Sequence, residues 1–383
     1  MLRVKRPACF TALAALFAAA PLSALPTGTL FATRPAQVLA LRDHTGDGDF
    51  FDFSEIAVYA DSLPVGITAA ASLGDRLYVV NPAAAQVLVL RDANADGDAL
   101  DFGEVLLFAQ LPTATPVCIS AADDGSLLVA DATCNCLYRL RDTNDDGDAL
   151  DAGEISSIAA GLTAPVAAAV RPDGKILVAQ NNAAIPVRIL HDRNGDNDFL
   201  DFAENISYVE NTAAGSRIAV QSTAIAHLLR PADGRLLRLH DLTGDDDALD
   251  FGEVIEYATG FSNATALAGA GAGHFIADGG ASGVIRWTFD ENGDGDALDF
   301  GEARTVAEGV TQCQWLVFVP DEVPACVPGD ADGDGQAAIA DVPVFVSLLL
   351  TKTSPADPCP LDANDDGLID GRDIQGFVNA IVD

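Results

Sequence analysis

The sequence predicts an all-β fold, a six-bladed β-propeller closed by a C-terminal strand and followed by a small α-helical domain with calcium loops. Three observations carry this prediction. An acidic motif recurs six times at intervals of 49 or 50 residues, and a period of this length is typical of propellers, solenoids and other repeat folds. Each interval contains four short apolar runs, and the incomplete repeats at the two ends complement each other.

Each repeat predicts four strands. In the second repeat the apolar runs GITAAAS, DRLYVVN, AQVLVLRD and EVLLFAQL are separated by Gly, Pro, Asn and Asp, as expected for short antiparallel strands. The acidic motif lies between the third and fourth runs, which lack helical periodicity, so we expect it to connect two strands of one sheet. The run Cys313–Val319 supplies the first strand that the N-terminal repeat lacks. Such pairing would close the ring and remove its free edges.

The repeats also resemble those of NHL and gluconolactonase-like propellers. The resemblance is carried by RPDGKILVAQ (Arg171–Gln180) and ADDGSLLVAD (Ala122–Asp131). The similar pattern of short apolar runs and turn residues covers residues 25 to 322. It implies a propeller whose functional residues lie at the ends of the inner strands, around a central tunnel.

The acidic motif has the oxygen spacing of a calcium loop with one extra residue. In Asp92–Glu104 the oxygen ligands alternate at positions 1, 3 and 5, and Gly97 permits the turn. The later acids stand at 10 and 13 instead of 9 and 12. Oxygen ligands without His or Cys select calcium, with Glu104 binding bidentately and Leu100 as the apolar anchor beneath the loop. A solvated acidic turn is the alternative for one copy, but six copies at fixed spacing favour calcium.

The candidate ligands of the six loops share positions 1, 3, 5, 7, 10 and 13. They are Asp43, Thr45, Asp47, Asp49, Asp52, Glu55, Asp92, Asn94, Asp96, Asp98, Asp101, Glu104, Asp142, Asn144, Asp146, Asp148, Asp151, Glu154, Asp192, Asn194, Asp196, Asp198, Asp201, Glu204, Asp241, Thr243, Asp245, Asp247, Asp250, Glu253, Asp290, Asn292, Asp294, Asp296, Asp299 and Glu302. The loops also resemble the acidic calcium loops of integrin-type propellers, although their late spacing differs.

Some loops depart from the common pattern. Asn197 replaces the glycine at position 6 of the fourth loop and tolerates the left-handed conformation, whereas Asp246 in the fifth loop is less suited to it. Thr45 and Thr243 stand at position 3 of the first and fifth loops, which we therefore expect to bind more weakly. The expected role of calcium is structural, holding the outer hairpin of each blade.

The texture of the chain changes after Cys326. Two further loops carry ligands at positions 1, 3, 5, 7 and 12, with position 7 contributing its main-chain oxygen. These ligands are Asp330, Asp332, Asp334, Gln336, Asp341, Asp362, Asn364, Asp366, Leu368 and Asp373. Together with the six propeller loops, they would give up to about eight calcium sites.

An apolar helical pattern follows each of these two loops, over 342–349 and 374–381. This duplicated loop and helix, with Asp at position 12, resembles a type I dockerin domain over residues 323 to 383. The resemblance implies docking to a cohesin-like protein, usually to attach polysaccharide-degrading enzymes to a scaffold. A calcium-stabilised module without a cohesin partner is the alternative.

The first 24 residues have the pattern of a secretory signal peptide. Three basic residues precede an apolar run from Phe10 to Ala20, and small residues near Ala24 suit cleavage. A buried N-terminal helix is the alternative. The expected location is secreted, periplasmic or on the cell surface.

Composition excludes several partners. The formal net charge of −36 disfavours nucleic acid and anionic membrane surfaces. No later apolar run reaches the ~18 residues that a membrane span needs, and a soluble monomer is expected. The five His residues are too few for a histidine-rich metal centre. The partner implied by the dockerin resemblance is a cohesin-like protein, and a cell-surface polysaccharide is the other expected partner.

Six cysteines follow the expected cleavage site, and an even number in an exported chain indicates disulfides. Cys326 and Cys359 flank one C-terminal segment and are the preferred pair. The motif Cys134-Asn-Cys136 can also be interpreted as metal-binding. Because no further Cys or His is nearby in the sequence, a disulfide from this motif to Cys118 is favoured.

The tunnel offers few candidates for chemistry. The second strands end near the polar residues Thr33, Asn81, Asp131, Asn181 and Asp278. A gluconolactonase-like metal site would need a Glu with Asn and Asp partners, and no inner-strand Glu is evident. An Asp in a VAD motif more often bonds the next turn.

No catalytic residue is therefore assigned, and His227 and His274 are interpreted as core or tunnel histidines. The favoured function is a secreted calcium-binding propeller that acts as a binding or scaffold module, with a dockerin-like tail for cohesin-type docking or polysaccharide-associated assembly. The alternative is an extracellular enzyme, a lactonase, sugar oxidoreductase or polysaccharide hydrolase, that uses the tunnel.

Overall fold

The apolar runs of each repeat form the strands of one antiparallel sheet, and six such four-stranded sheets form a propeller. The computed structural model describes residues 25, 27–112, 115–279, 283–321, 339, 342–351, 374 and 377–378. The chain divides into two compact units, Met1–Val319 and Pro320–Asp383. The predicted signal peptide, residues 1 to 24, lies outside the described residues.

The strands follow the repeat in chain order. They are β1 (Gly28–Arg34), β2 (Gln37–Leu41), β3 (Ile56–Ala60), β4 (Ala69–Leu73), β5 (Arg76–Asn81), β6 (Gln86–Leu90), β7 (Val105–Gln110), β8 (Pro116–Ala121), β9 (Leu127–Asp131), β10 (Cys136–Leu140), β11 (Ile155–Ala159), β12 (Pro165–Val170), β13 (Ile176–Gln180), β14 (Val187–Leu190), β15 (Asn205–Val209), β16 (Arg217–Val220), β17 (Ile225–Arg230), β18 (Arg235–His240), β19 (Val254–Thr259), β20 (Ala264–Ala270), β21 (Gly273–Asp278), β22 (Val284–Thr288), β23 (Ala303–Ala307) and β24 (Trp315–Pro320). A 3₁₀ turn, Pro82–Ala84, follows β5.

The ring closes as the sequence predicts. Blade 1 has the strand order β24-β1-β2-β3, so its innermost strand comes from the end of the propeller region and its other three come from the beginning. Blades 2 to 6 begin at β4, β8, β12, β16 and β20, each with four consecutive strands. The Gln314 amide also donates to the Thr33 carbonyl at 2.9 Å. This pairing satisfies the backbone at an edge that would otherwise be open.

Small residues occupy the inner strands because six of these strands converge on one axis. β4 reads AAASL and β12 reads PVAAAV. The second strands β9, β13 and β21 are buried along their whole length, as expected for strands covered on both faces by neighbouring blades. Aromatic rings fill the wider space farther out, where Tyr78 and Phe108 meet edge to face at 4.8 Å.

The outer two strands of each blade pair with a register shift, and the same irregularity recurs in all six blades. A β-bulge bends its strand and increases the local twist. The acidic loop connects these two strands in every blade, which confirms the predicted placement of the motif within a β-hairpin.

The cysteine pairing differs from the prediction. Cys134 and Cys136 form a disulfide with each other, and Cys118 is a buried free thiol. The physical reason is position: Cys118 lies on the inner strand β8, whereas Cys134 and Cys136 lie at the turn into β10, farther from the axis. The predicted Cys326–Cys359 pair lies outside the described residues.

The second unit contains helix α1, Val342–Thr351, where the first of the two predicted helical patterns lies. Phe345 and Phe377 are buried, and their rings stack at 3.8 Å, so the two patterns contact each other at these two residues. The calcium ligands predicted at 330–341 and 362–373 lie outside the described residues. Within the part of the chain that the structure describes, no helix is long and apolar enough to cross a membrane.

Candidate functional sites in the acidic loops and the channel mouth

Each acidic loop is closed by the glutamate at its position 13. Glu104 Oε1 accepts a hydrogen bond from the Ala93 amide at 2.9 Å, and Oε2 accepts one from the Asp101 amide at 2.9 Å. The same two bonds recur in all six loops, and their glutamates are at most 4% exposed. In the third loop, hydrogen bonds from backbone amides lower the pKa of Glu154. The glutamate thus joins the two ends of the loop, in addition to being a candidate ligand.

The other carboxylates of each loop bond to backbone amides of the loop or lie close to its glutamate. In the second loop Asp92 accepts hydrogen bonds from the Asp96 and Gly97 amides at 3.1 and 2.8 Å. In two loops, three carboxylates offer oxygens within 4.8 Å of one another and can hold a metal ion: Asp43, Asp47 and Glu55, and Asp196, Asp198 and Glu204. The first of these loops contains Thr45 and was expected to bind more weakly, yet its oxygens converge.

Electrostatic repulsion is visible in the fifth loop. Burial raises the pKa of Asp247, and the negative charges of Asp245, Glu253 and Asp250 add to this against the hydrogen bond from the Leu249 amide, which lowers it. A carboxylate whose charge is opposed in this way gains stability from a nearby cation. The donor set of these loops therefore suits a hard divalent ion.

Every loop is attached to the preceding blade of the ring. The Ala99 amide, at position 8, donates to the Tyr59 carbonyl at 2.7 Å, and the equivalent amides of the other five loops make the same bond at 2.7–2.9 Å. Position 8 is buried in all six loops: Phe50, Ala99, Ala149, Phe199, Ala248 and Ala297. We call this contact the blade latch.

The blade latch corrects the predicted anchor of the loop. Leu100 is 45% exposed, whereas Ala99 is 1% exposed. The amide at position 8 must face the neighbouring blade to donate its hydrogen bond, and its side chain packs there, so the next side chain turns to solvent. Position 11 is farther out still, and five loops carry a fully exposed phenylalanine there: Phe53, Phe102, Phe202, Phe251 and Phe300.

The fifth loop uses its unusual residue for a contact between blades. Asp246 adopts φ +70° where other loops have Gly or Asn. Its Oδ1 accepts a 2.6 Å hydrogen bond from Lys175 Nζ and lies 3.4 Å from an Arg171 nitrogen. Burial alone would raise the pKa of Asp246, but the hydrogen bond and charge of Lys175, followed by the charge of Arg171, lower it. The ion pair thus compensates for the backbone strain that is predicted for an Asp at this position.

The acids at the ends of the second strands hold turns. Asp131 accepts hydrogen bonds from the Thr133 amide at 2.7 Å and the Thr115 amide at 3.2 Å. Asp278 accepts one from the Asn263 amide at 2.7 Å. These contacts confirm the structural interpretation of the VAD motif.

For two of the predicted tunnel residues, the strand end lies one residue away from the predicted position. β13 ends at Gln180 and β1 at Arg34, so these residues, and not Asn181 and Thr33, correspond to Asp131. Gln180 Nε2 donates to the Ile185 carbonyl at 2.9 Å, which is again a contact that holds a turn.

The two candidate histidines lie in the core between blades 5 and 6. His227 and His274 are at most 1% exposed, and their ring centroids are 4.1 Å apart. Burial, and next the proximity of His274, lower the pKa of His227, and burial lowers the pKa of His274 to about 3. Both rings are therefore neutral at pH 7, as expected for core histidines.

A pocket of about 480 Å³ opens where the six inner strands begin. Its lining comes from every blade: Thr68, Pro82, Thr115, Pro116, Val117, Val166, Ser216, Arg217, Pro231, Ala264, Thr265, Cys313 and Gln314. We call this pocket the channel mouth. No acid or histidine is among the described residues that line it. Burial raises the pKa of the Cys313 thiol to about 12, so that thiol is protonated and a poor nucleophile.

Arg217 is the charged residue of the channel mouth. Its guanidinium donates to the Ser216 and Gln314 carbonyls at 2.7 and 3.0 Å, and it lies 4.3 Å above the Trp315 ring. Its Nε is buried without a hydrogen-bond partner, as are Ser216 Oγ and Thr68 Oγ1. Burial lowers the pKa of Arg217 to about 10, so it is charged at pH 7.

Arg217 lines the channel mouth, and Trp315, on which it stacks, lines a second cavity. This lower cavity, of about 310 Å³, is lined mainly by apolar residues of the inner strands, including Ala70, Ile119, Ala168 and Phe318.

Sequence reasoning missed Arg217 because it compared the ends of the second strands. A signal was present in the first strands, whose other members begin with small or apolar residues, whereas β16 begins with Arg217 in RIAV. Blade 5 is thus the blade whose first strand begins with a charged residue.

Comparison with known proteins shows the fold and no more. No family model matches the sequence, and no curated protein matches it. A chain of the nidogen/laminin complex superimposes with a TM-score of 0.56 at 12% identity, covering 76% of this chain and 97% of that one. A putative 6-phosphogluconolactonase from Bacteroides uniformis gives 0.49 at 13% identity, covering 74% and 83%. A gluconolactonase from Xanthomonas campestris gives 0.44 at 16% identity, covering 63% and 75%.

Proposed function

We propose that this protein is an exported, calcium-stabilised propeller that binds a small molecule in its channel mouth. The observation that carries the proposal is the channel mouth itself. Its volume of about 480 Å³ falls in the range of small-molecule sites, and such sites combine an apolar lining with a few polar groups. Three of its polar atoms are buried without partners, and a ligand that bonds to them would relieve their desolvation cost.

Calcium has a structural part in this proposal. The acidic loops combine closed backbone geometry with converging carboxylates in the first and fourth loops, and hard oxygen donors without His or Cys suit calcium. Because each loop also carries a blade latch, an ion bound there would stiffen the contact between neighbouring blades. The C-terminal unit would serve for attachment to a cohesin-like protein or a polysaccharide-associated assembly.

An extracellular enzyme acting on a sugar, a lactone or a polysaccharide is the second candidate. The channel mouth favours it over a pure scaffold, because a scaffold needs no ligand-sized pocket. The described lining offers hydroxyl, amide, thiol and guanidinium groups but no carboxylate or imidazole. General acid–base catalysis uses groups of the latter kinds most often, so we place binding ahead of turnover.

A matched pair of substitutions tests the proposal. Val166→Trp fills the channel mouth, whereas Val65→Trp places the same side chain at a position that is 78% exposed. The two variants and the parent are screened by thermal shift against monosaccharides, sugar lactones, and aliphatic and aromatic acids and alcohols. We expect at least one class to stabilise the parent and Val65→Trp but not Val166→Trp.

Two results would count against the proposed function. One is equal stabilisation of all three proteins by every ligand that binds. The other is no binding by the folded parent across the panel. Ligands that bind are then followed for product formation, and turnover that Val166→Trp abolishes would establish the enzyme in place of the binding module.

A further inference from the structure

We infer that the ligand of the channel mouth carries an anionic group, a carboxylate, sulfate or phosphate, on a largely apolar body, and that Arg217 binds this group. The inference rests on the binding role proposed above and adds the chemical class of the ligand. It also assigns Arg217 as the residue that determines specificity at this site.

The state of the guanidinium is the first support. Within the described residues, Arg217 forms no ion pair with a carboxylate, unlike Arg141, Arg171 and Arg235. Two of its nitrogens donate to carbonyls, which are neutral acceptors, and its Nε has no acceptor. A partly buried cation that lacks a counter-charge bears an uncompensated desolvation cost, and an anionic ligand would supply both the charge and the missing acceptor.

The placement of the guanidinium is the second support. The Trp315 ring covers one face at 4.3 Å, and the bonds to Ser216 and Gln314 fix its plane. An arginine held in this way loses little conformational freedom when it binds a planar anion, which favours arginine over lysine at such sites. Its Nε is the donor that remains without an acceptor.

The other lining groups indicate the rest of the ligand. Ser216 Oγ and Thr68 Oγ1 are buried and unpartnered, and both residues line the channel mouth, so each hydroxyl is a donor without an acceptor in the protein. Pro116, Val117 and Val166 supply apolar walls, which suit an aromatic or aliphatic body. The absence of acids among the described lining residues removes the repulsion that the rest of this acidic chain would impose on an anion.

The experiment compares an anion with its neutral counterpart. The probes are benzoate, phenyl phosphate and benzamide, which share a ring and differ in charge. The sequence contains two tryptophans, so in a Trp287→Phe background the emission reports Trp315, which contacts Arg217. Binding is measured by this emission and by calorimetry. We expect at least one anion to bind, with benzamide at least tenfold weaker.

Three variants separate the possible roles of Arg217. Arg217→Met keeps the length of the side chain and removes the charge, and Arg217→Lys keeps the charge and removes the fork. Arg235→Met is the control, because Arg235 is half-exposed and pairs with Glu256 elsewhere. We expect Arg217→Met to weaken the anion by at least tenfold, Arg217→Lys to weaken it less, and benzamide binding to change by less than about twofold.

The outcomes distinguish this inference from the function on which it rests. One outcome is that the anions and benzamide bind equally well, that Arg217→Met binds them as the parent does, and that Val166→Trp binds none of them. This outcome would overturn the anion preference and leave the channel-mouth function intact. An effect of Arg235→Met equal to that of Arg217→Met would assign the effect to net charge and also overturn the inference. If neither anion binds the folded parent, the inference is wrong, whatever neutral ligands bind.

Discussion

The guanidinium of Arg217 stacks on the ring of Trp315 at 4.3 Å although the two residues belong to blades that are not neighbours in the ring. Arg217 begins the inner strand of blade 5, Trp315 begins that of blade 1, and blade 6 lies between them. The side chain therefore reaches past one blade and lies across the channel. A side chain in that position narrows the channel and contacts any ligand that enters it. The next question is how much the charge of Arg217 lowers the stability of the fold.

We expect Arg217→Met to leave the melting temperature unchanged or to raise it at pH 7. Burial lowers the pKa of Arg217 from 12.5 to about 10, so the folded protein holds this proton less tightly than the unfolded chain. The charge therefore costs stability below pH 12.5, and the cost is complete below about pH 10. Thermal unfolding by circular dichroism at pH 7 and pH 10.5 measures the effect, and any gain should shrink at the higher pH. A loss of more than about 1 kcal/mol at pH 7 would instead make Arg217 a stabilising residue.

Chelation should lower the melting temperature strongly. Extracellular-type affinities of about 10⁻⁴ to 10⁻³ M would give each occupied loop roughly 1.4 to 2.7 kcal/mol at about 10 mM calcium. Calorimetry with calcium and with EDTA measures the difference, and Asp196→Asn should reduce it. Asp75→Asn, at an exposed acid outside the loops, should not. A melting temperature unaffected by EDTA would refute structural calcium.

The blade latch predicts opposite results for one substitution at two nearby positions. Phe199 is 4% exposed and packs at position 8 of the fourth loop, whereas Phe202 in the same loop is fully exposed. Phe199→Ala should cost about 3 to 5 kcal/mol, and Phe202→Ala should stay within about 0.5 kcal/mol. Urea unfolding of both variants gives the comparison. Equal costs would mean that position 8 is not the anchor.

Restoring the common glycine of the fifth loop should destabilise the protein. Asp246→Gly relieves the positive φ but removes the acceptor of Lys175 and Arg171, and the latter is 4% exposed. We expect a net loss of roughly 1 to 2 kcal/mol, because a buried cation loses a partner. Asp246→Asn, which tolerates the conformation but lacks the charge, should lose a similar amount. A stabilised Asp246→Gly variant would show that backbone strain outweighs the ion pair.

The histidine pair predicts sensitivity to acid. Burial lowers the pKa of His274 to about 3 and also lowers that of His227, so both protonate more readily in the unfolded chain. Stability is then fully present above pH 6.5 and falls with decreasing pH, with His274 alone accounting for roughly 3 kcal/mol at pH 4. Melting curves from pH 7 to pH 4 should show a shallower decline for His227→Phe/His274→Phe. Parallel declines would contradict the prediction.

Much of the fold was predictable because it repeats. Six copies of one strand pattern average out the ambiguity of each, and the incomplete ends identify the ring closure, which β24 and β1 confirm. Comparing the six copies does not show which of two adjacent apolar side chains is buried. Ala99 and Leu100 are adjacent and both apolar, and only the hydrogen bond to Tyr59 decides which side chain is buried.

The channel mouth shows the opposite limit. Its important residue, Arg217, is an exception to the repeat, so a search for shared motifs passes over it. Its meaning depends on Trp315, which is nearly 100 residues away in sequence and meets it only after the ring closes. Pairing across a closed ring is set by tertiary structure, and local patterns do not encode it.

The closure of blade 1 has a consequence for the order of folding. A chain synthesised from its N-terminus exposes the edge of β1 until β24 emerges, after almost the whole propeller has been made. Blades 2 to 6 complete their sheets locally, whereas blade 1 and the Arg217–Trp315 contact must wait for the last strand. Contacts with so large a sequence separation form slowly, and unpaired edges invite aggregation in the interval. The channel mouth is thus assembled at the end of folding, and a truncated chain would lose the site before it loses most of its sheets.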